Sequence, residues 1–447
     1  MYKYFGTDGI RGIPFDFPFT NENLIKIGYS ISKVILKDKK KKVFIARDTR
    51  GSGKRILNYV SKGINSAGAD VIDLGVITTP ALSYILSKNK KDISFGIMIS
   101  ASHNPPEFNG IKVLSSSGEK IGEGVERRIE KLIDCDDIKL KNNNKKIYTK
   151  DLSDDYISYT TSHFDGEFDG IDLVIDCSNG ASYKIAPKIF KKLKSSFYLI
   201  GDKPDGKNIN VGCGALDTNL MRKTVLKRKS FCGISYDGDG DRCILSDEKG
   251  KLIDGDDIIA LLSVYYKRSK RLKNNTVVLT RMSNYGLVKF LKKEKIRVVL
   301  VDVGDRNVSL AMKKYGAVLG GETSGHIVIK KYLPTGDGII TSLEAVSAAR
   351  RMNIHLSDVK KMWSRYPSHL RSYRVDTKYD LNKLDIFLKA VKAIENDIGG
   401  RIFIRYSGTE PVLRILIEAD MKDDELASLS ERLFEHYKNS IVDMAKG

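Results

Sequence analysis

One arrangement of residues occurs three times along this chain, and it restricts the fold more than any other feature. Val43-Phe-Ile-Ala-Arg47 has the apolar character of a buried strand. Asp48-Thr-Arg-Gly51 is a polar turn, an amphipathic stretch runs to about Ala67, and Val71-Ile-Asp-Leu-Gly75 is apolar again. Leu173-Val-Ile-Asp176 leads in the same way through Cys-Ser-Asn-Gly and a helical stretch to Phe197-Tyr-Leu-Ile-Gly201. Thr276-Val-Val-Leu-Thr280 leads through Arg-Met-Ser-Asn-Tyr-Gly286 and a Lys-rich helix to Val298-Val-Leu-Val-Asp-Val-Gly304. Strand, turn, helix and strand in that order build a parallel sheet with crossover helices. At 447 residues the chain is also too long for one core.

After each unit comes one more short apolar strand and a loop rich in chemistry. The loops are Ser100-Ala-Ser102-His103-Asn104 after Ile93 to Ile99, Asp237-Gly-Asp239-Gly-Asp241-Arg242 after Phe231 to Tyr236, and Gly321-Glu322-Thr323-Ser324-Gly325-His326 after Ala317 to Leu319. Ligands in open α/β sheets bind at the carboxyl ends of strands, so three such loops are expected to face one cleft. From about His369 the pattern changes. Gly400-Arg-Ile-Phe-Ile-Arg405, a polar turn and Val412-Leu-Arg414-Ile read as a strand, a tight turn and a strand. The expected architecture is α/β: three tandem similar α/β domains with mixed sheets and crossover helices, plus a smaller C-terminal α+β domain, around one central cleft. The boundaries fall at 1–150, 151–252, 253–368 and 369–447, with Asn142 to Lys146 the clearest linker-like segment.

The Asp loop carries the sharpest chemistry. Its glycines let the backbone turn tightly, so three carboxylates can converge on one point. Three like charges that close repel unless a cation sits among them, and all-oxygen ligands favour Mg2+, Ca2+ or Mn2+. A calcium loop of the EF-hand kind is excluded. Its sixth position must be Gly and here is Arg242, and a strand rather than a helix precedes it.

Composition removes other classes. The five cysteines (135, 177, 213, 232, 243) form no CxxC pair and are odd in number, which suits a reducing cytoplasm and excludes a cysteine metal site. No run is apolar enough to span a bilayer, and the opening residues lack the apolar core of a signal peptide. A net charge of +20 invites a nucleic-acid reading. The Lys-rich runs at Lys37 to Lys42 and Lys139 to Lys146 have no interleaved aromatics and no binding motif, so no nucleic-acid partner is expected. A positive field would still gather an anionic substrate.

Ser102 alone could merely be a solvated hydroxyl. With a cation site available elsewhere, a phosphate on Ser102 could be neutralised and positioned for transfer. A Ser-His-Asp hydrolase is disfavoured, because adjacent Ser and His seldom meet in triad geometry and no nucleophile elbow is present. Arg405, Ser407, Gly408 and Thr409 combine a guanidinium, two hydroxyls and a bare turn, a set suited to a phosphate monoester; Arg414 is either a second clamp or a surface cation. Glu322 and Ser324 could hydrogen-bond sugar hydroxyls, and His326 could act as general acid or base or be structural. Arg11, between glycines near the start, could reach into the cleft.

Phe5-Gly-Thr-Asp-Gly-Ile-Arg-Gly12, Ser-Ala-Ser-His-Asn-Pro with Asn109-Gly-Ile-Lys112, Asp-Gly-Asp-Gly-Asp-Arg, Gly-Glu-x-Ser-Gly-His and Arg-x-Ser-Gly-Thr-Glu-Pro occur in this order. Together they resemble the α-D-phosphohexomutase superfamily over nearly the whole chain, and most closely its glucosamine branch. The resemblance implies that Ser102 is the phosphoserine and that Asp237, Asp239 and Asp241 bind one Mg2+ per active site together with the serine phosphate. It implies that Arg11, Lys112 and Arg242 steady the transferring group, with Lys112 and His103 as candidates for proton transfer. Glu322, Ser324, His326, Asp305 and Arg306 resemble the sugar-binding set. Arg405, Ser407, Gly408 and Thr409, with Arg414, resemble the clamp on the phosphate that is not transferred.

The activity so implied is interconversion of glucosamine 6-phosphate and glucosamine 1-phosphate through a sugar 1,6-bisphosphate, which also serves as activator. A phosphosugar is the substrate, Ser102 needs an activating phosphorylation, and the product feeds UDP-N-acetylglucosamine and cell-wall precursors in the cytoplasm. No membrane partner is implied, and a homodimer is compatible with the resemblance. Gly408, where glucose and mannose enzymes usually carry Asn, and Asn208-Ile-Asn210 followed by Cys213-Gly214 point to the glucosamine branch. Three positions depart from it: Thr323 stands for the usual Gln, Tyr406 for Pro or a similar residue, and Pro106 for Tyr. A glucose or mannose phosphate mutase of the same mechanism, or a non-catalytic phosphosugar-binding protein, are the alternatives.

Overall fold

The computed structural model describes residues 3–6, 8–36, 42–135, 145–407 and 410–446. Most of the two basic runs and of the Asn142 to Lys146 linker lies outside these residues, as do Gly408 and Thr409. The chain forms two compact units, Met1–Met282 with Ile296–Met362, and Ser283–Lys295 with Trp363–Gly447.

Three sheets make up the first unit, each drawn from one continuous stretch of sequence. In the first, Phe95–Ile99, Lys42–Arg47, Asp70–Val76 and Ile147–Thr149 run parallel in that spatial order. The second has Cys232–Tyr236, Asp172–Asp176 and Ser196–Ile200 parallel, and the third has Leu319–Gly321, Thr276–Thr280 and Arg297–Val301 parallel. The central parallel strands are covered on both faces, so they read as unbroken apolar runs: Val43, Ile45, Phe95, Ile97 and Ile99 are completely buried. The helix Gly53–Ser66 crosses Asn21–Ile35 closely, because a Cβ at Gly28 would lie 2.1 Å from Val60 O and one at Gly63 2.1 Å from Ile25 O.

The sheets are mixed, for one repeated reason. In each, the last parallel strand turns back into an antiparallel neighbour: Phe95–Ile99 into Asn109–Ser115, Cys232–Tyr236 into Cys243–Ser246, and Leu319–Gly321 into Ile327–Ile329. The three chemically loaded loops are the connections of these three hairpins. The third strand lies at Leu319–Gly321 rather than Ala317 to Leu319, and its glycines are there for space. A Cβ at Gly320 would meet Met312 Sδ at 2.8 Å, and one at Gly321 would meet His326 O at 2.7 Å. The polar N-terminal segment is ordered as strand Gly9–Gly12, which pairs with Asn109–Ser115 and sets Arg11 opposite Gly110.

The second unit contains an antiparallel sheet in the order Ser368–Arg374, Val412–Glu418, Arg401–Tyr406, with helices Asp385–Ile398 and Asp423–Lys446. Its core joins Leu413, Ile415 and Ile417 to Phe387, Leu426, Leu433 and Tyr437. Among the described residues, no helix is long and apolar enough to cross a membrane.

Candidate active site

Ser102 sits in the first hairpin loop, fully buried, with φ of +54°. Its hydroxyl donates to Asp237 Oδ2 at 2.6 Å, across 135 residues of sequence, and lies 3.3 Å from His103 Nδ1. The predicted nucleophile and the predicted metal loop therefore meet.

Asp237, Asp239 and Asp241 are all buried, and one oxygen of each lies within 4.8 Å of the others. The Arg242 N–H donates to Asp237 Oδ1 at 3.1 Å. Asp239 Oδ2 accepts from Thr79 Oγ1 at 2.5 Å and from Lys112 Nζ at 2.8 Å, and Asp241 Oδ2 accepts from Lys112 at 3.2 Å. Asp239 Oδ1 and Asp241 Oδ1 are buried with no hydrogen-bond partner. Buried, unpartnered carboxylate oxygens are costly. Burial, reinforced by Asp241 and Asp239, raises the Asp237 carboxyl well above the usual range. Orphaned acceptors beside a carboxylate that resists ionisation are what a cation would relieve, so this donor set fits a hard divalent metal.

Lys112, on strand Asn109–Ser115, is buried and touches three carboxylates, the third being Asp8 at 3.0 Å. Burial disfavours its charge, but Asp239, Asp241 and Asp8 outweigh that and hold it well above the usual lysine range. Arg11 pairs with Asp8 at 2.7 Å and donates to Asn104 Oδ1 at 3.0 Å. Burial and the neighbouring Arg242 and Arg11 push the His103 imidazole down to about 4. It is therefore neutral near pH 7.

In the third hairpin loop, Glu322 accepts from the Gly304 N–H at 2.9 Å and from Ser324 Oγ at 3.2 Å. His326 is buried, both its ring nitrogens lack a hydrogen-bond partner, and Nε2 lies 3.9 Å from Asp305 Oδ2. Lys120 bridges Asp305 to Asp8, linking this loop to the Lys112 cluster. The Arg306 guanidinium is taken up by Glu126 (2.9 Å from Nη1) and Ile121 O (3.3 Å). Thr323, one of the departures from the branch pattern, turns its hydroxyl to Asp256 Oδ1 at 3.0 Å and Met282 O at 3.4 Å.

In the second unit Arg405 is exposed and faces Arg414 as its cross-strand partner; Arg414 lies 3.7 Å from Glu410. Ser407 is buried, donates its N–H to Val412 O at 2.8 Å, and accepts Lys378 Nζ on its carbonyl at 2.7 Å. Two cations side by side, with a third near the turn, present a phosphate-like anion with donors.

Family models for phosphoglucomutase/phosphomannomutase match the chain in order: alpha/beta/alpha domain I over residues 2–139, domain II over 148–250, domain III over 254–366 and the C-terminal domain over 372–436. The chain belongs to the phosphoglucomutase/phosphomannomutase family. It is 41% identical to a phosphoglucosamine mutase of Caldicellulosiruptor bescii, covering 96% of this chain and 99% of that protein. It is 39% identical to a phosphoglucosamine mutase of Bdellovibrio bacteriovorus, covering 96% and 98%. Among solved structures, a phosphoglucomutase/phosphomannomutase family protein from Burkholderia thailandensis superposes with a TM-score of 0.78 at 20% identity, covering 97% of each chain.

For a phosphoglucomutase/phosphomannomutase chain, several residues stand at the site that inspection of the sequence passed over. Asp8 lies within the N-terminal motif beside Arg11, and its role shows only through Lys112 and Lys120, more than 100 residues away. Thr79 and Lys120 carried no signal, since each acts through a partner more than 100 residues away. Asp48 and Arg50 looked like an ordinary polar turn. Asn210 looked like a branch marker, whereas its Nδ2 donates to Ser102 O at 2.9 Å.

Proposed function

We propose that this protein is an isomerase that interconverts glucosamine 6-phosphate and glucosamine 1-phosphate by way of phosphorylated Ser102 and a sugar 1,6-bisphosphate. The observation that carries the reading is the Ser102 hydroxyl, 2.6 Å from the first of three buried carboxylates with oxygens to spare. Similarity to phosphoglucosamine mutases over 96% of the chain supports the choice of sugar.

Asp237, Asp239, Asp241 and an oxygen on Ser102 would hold one Mg2+ per active site, which would supply positive charge against the phosphoryl oxygens. The residues of the chain do the rest. Arg11 meets the Ser102 loop at Asn104, Lys112 lies against Asp239 and Asp241, and Arg242 lies beside Asp241, so the three cations offset the negative charge of the transferring group. As the phosphoryl group passes to the C1 hydroxyl, the P–O bond to Ser102 breaks and one to the sugar forms; the hydroxyl loses a proton and Ser102 Oγ gains one. His103, neutral near pH 7, can accept a proton. Lys112, an ammonium held by three carboxylates, can only give one. Glu322, Ser324 and His326, with Asp305 and Arg306, form the sugar-binding set; the free ring nitrogens of His326 and the acceptor oxygens of Glu322 suit hydroxyls.

Arg405, Ser407, Gly408, Thr409 and Arg414 bind the phosphate that is not transferred. The four-domain division at 1–150, 151–252, 253–368 and 369–447 belongs to the same reading, as do a cytoplasmic setting and activation by phosphorylation of Ser102. The test is mutase turnover with Mg2+ and a trace of sugar 1,6-bisphosphate on glucosamine, glucose and mannose 6-phosphates. The expected result is a clear preference for glucosamine in kcat/KM. Preference for another sugar would overturn the substrate assignment, and no turnover on any of the three would overturn the reaction.

A further inference from the structure

We propose that the buried Asp48–Arg50 ion pair is the positioning device for Ser102, gripping both of its peptide groups so that its hydroxyl is aimed at the three carboxylates. The inference rests on the reading that Ser102 carries the phosphoryl group.

Ser102 is not a glycine, yet its φ is +54°. Such backbone is disfavoured for a residue with a side chain and persists only where the surroundings over-determine it. Both sides of Ser102 are tied to one place. Its N–H donates to Ser100 Oγ at 2.9 Å, and that hydroxyl donates to Asp48 Oδ2 at 2.6 Å. Its carbonyl accepts from Arg50 Nη2 at 3.1 Å, with Asn210 Nδ2 adding a second bond at 2.9 Å. Asp48 and Arg50 close the circle: Arg50 Nε donates to Asp48 Oδ2 at 3.0 Å and the Arg50 N–H to Asp48 Oδ1 at 2.9 Å.

The guanidinium reaches further round the same loop. Nη2 also donates to Asn104 O at 2.7 Å, and Nη1 donates to Phe108 O at 3.0 Å and to Pro105 O. One cation, only 3% exposed, thus satisfies four carbonyls of a loop that has no ladder of its own. No lysine can do this, because it lacks the planar fork of donors. The grip also sets how closely the metal-binding loop approaches, since a Cβ at Gly238 would lie 2.5 Å from Ser102 O. A shift of the Ser102 carbonyl therefore turns its side chain away from Asp237. Misplacement of a reacting atom by about 1 Å costs on the order of 100-fold in rate.

The experiment uses the full-length protein with Mg2+ and glucosamine 1,6-bisphosphate, comparing wild type with Arg50→Lys and Ser100→Ala. The readouts are kcat, KM for glucosamine 6-phosphate, the 31P resonance of phosphorylated Ser102, and 32P labelling of Ser102. Expected are a fall in kcat of about 100-fold for Arg50→Lys and about 10-fold for Ser100→Ala. KM should be nearly unchanged in both, and the phosphoserine resonance shifted or broadened. A role in folding alone would lower the melting temperature and leave kcat and the resonance unmoved, which would overturn the inference. If Arg50→Lys does not fold, Ser100→Ala decides, because it leaves the ion pair in place; wild-type kcat in that variant would overturn the inference. Labelled wild-type protein with unaltered variants counts against the clamp alone, whereas an unlabelled wild type overturns the reading beneath it as well.

Discussion

Asp337 should make the Asp237–Asp241 loop sensitive to pH. It caps the helix Gly338–Arg351 by accepting the Ile340 N–H at 3.0 Å, and it accepts the Tyr156 hydroxyl at 2.8 Å. The next residue, Gly338, donates its N–H to Gly240 O at 3.0 Å, inside the Asp237–Asp241 loop. Burial raises the Asp337 carboxyl from 3.8 to about 7, against the opposing effect of those hydrogen bonds. The sign follows from linkage. A carboxyl whose pKa is higher in the folded state binds its proton more tightly there, so its contribution is complete below about pH 4 and is lost as pH rises through about 7.

Roughly three pKa units at about 1.4 kcal/mol each give on the order of 4 kcal/mol in all, of which about 2–3 kcal/mol falls between pH 5 and pH 8. Asp337→Asn keeps an acceptor for Ile340 and removes the titration. Amide hydrogen exchange of the Gly338–Arg351 helix, followed by mass spectrometry, reads the local opening free energy without requiring the whole chain to unfold reversibly. Comparison of wild type and variant at each pH cancels the intrinsic pH dependence of exchange. Relative to the variant, wild-type protection should fall by roughly 30- to 150-fold between pH 5 and pH 8. A flat ratio would show that Asp337 does not titrate in this window. A carboxyl held ionised down to about pH 4 would give that flat ratio, and the argument from burial would then be wrong.

Lys112→Met removes an ammonium 2.8 Å and 3.2 Å from two of the proposed metal ligands, so Mg2+ affinity of the substrate-free protein should rise by at least about 10-fold in titration calorimetry. Unchanged or weaker binding would contradict the electrostatic picture. Arg405→Ala should raise the KM for glucosamine 6-phosphate by roughly 10- to 150-fold, for the about 1.5–3 kcal/mol of a lost charge-assisted bond; an unaltered KM would dismiss Arg405 as a clamp. Gly28→Ala puts a methyl 2.1 Å from Val60 O and should cost about 1–3 kcal/mol in urea unfolding, with turnover at low temperature retained.

Sequence patterning showed the parallel strands well, because apolar runs such as Val43 to Arg47 and Thr276 to Thr280 are buried on both faces. It passed over their antiparallel partners. Asn109–Ser115 carries Lys112 in its middle, and a buried lysine makes sense only once three carboxylates from elsewhere surround it. Gly320 and Gly321 suggest a loop on propensity, but they lie in a strand because Met312 and Ile327 leave no room for a side chain. The chemical residues were legible for the reason the supporting ones were not. Three aspartates spaced by glycines form a local pattern, whereas Arg50 acts on a residue 52 positions away and Lys120 on one 185 positions away.

The repeated hairpin explains why three unrelated chemistries share one structural station. An antiparallel strand that returns at once staples the loop at both ends, at Tyr236 and Cys243 in the second sheet and at Gly321 and Ile327 in the third. The loops 237–242 and 322–326 are shorter, with glycines at 240 and 325 supplying the positive-φ turns, and the former is also tied from outside by the N–H groups of Thr79, Ala181 and Gly338. The first loop is longer, since the flanking pair is Ile99 and Ile111. Closure ends at the Ser100–Gly110 bond, and Ser102 lies just beyond it. Arg50 bonds to four carbonyls in this loop, spanning Ser102 to Phe108. The Arg50 clamp thus falls on the longest of the three hairpin loops, the one that carries the serine proposed to take the phosphoryl group.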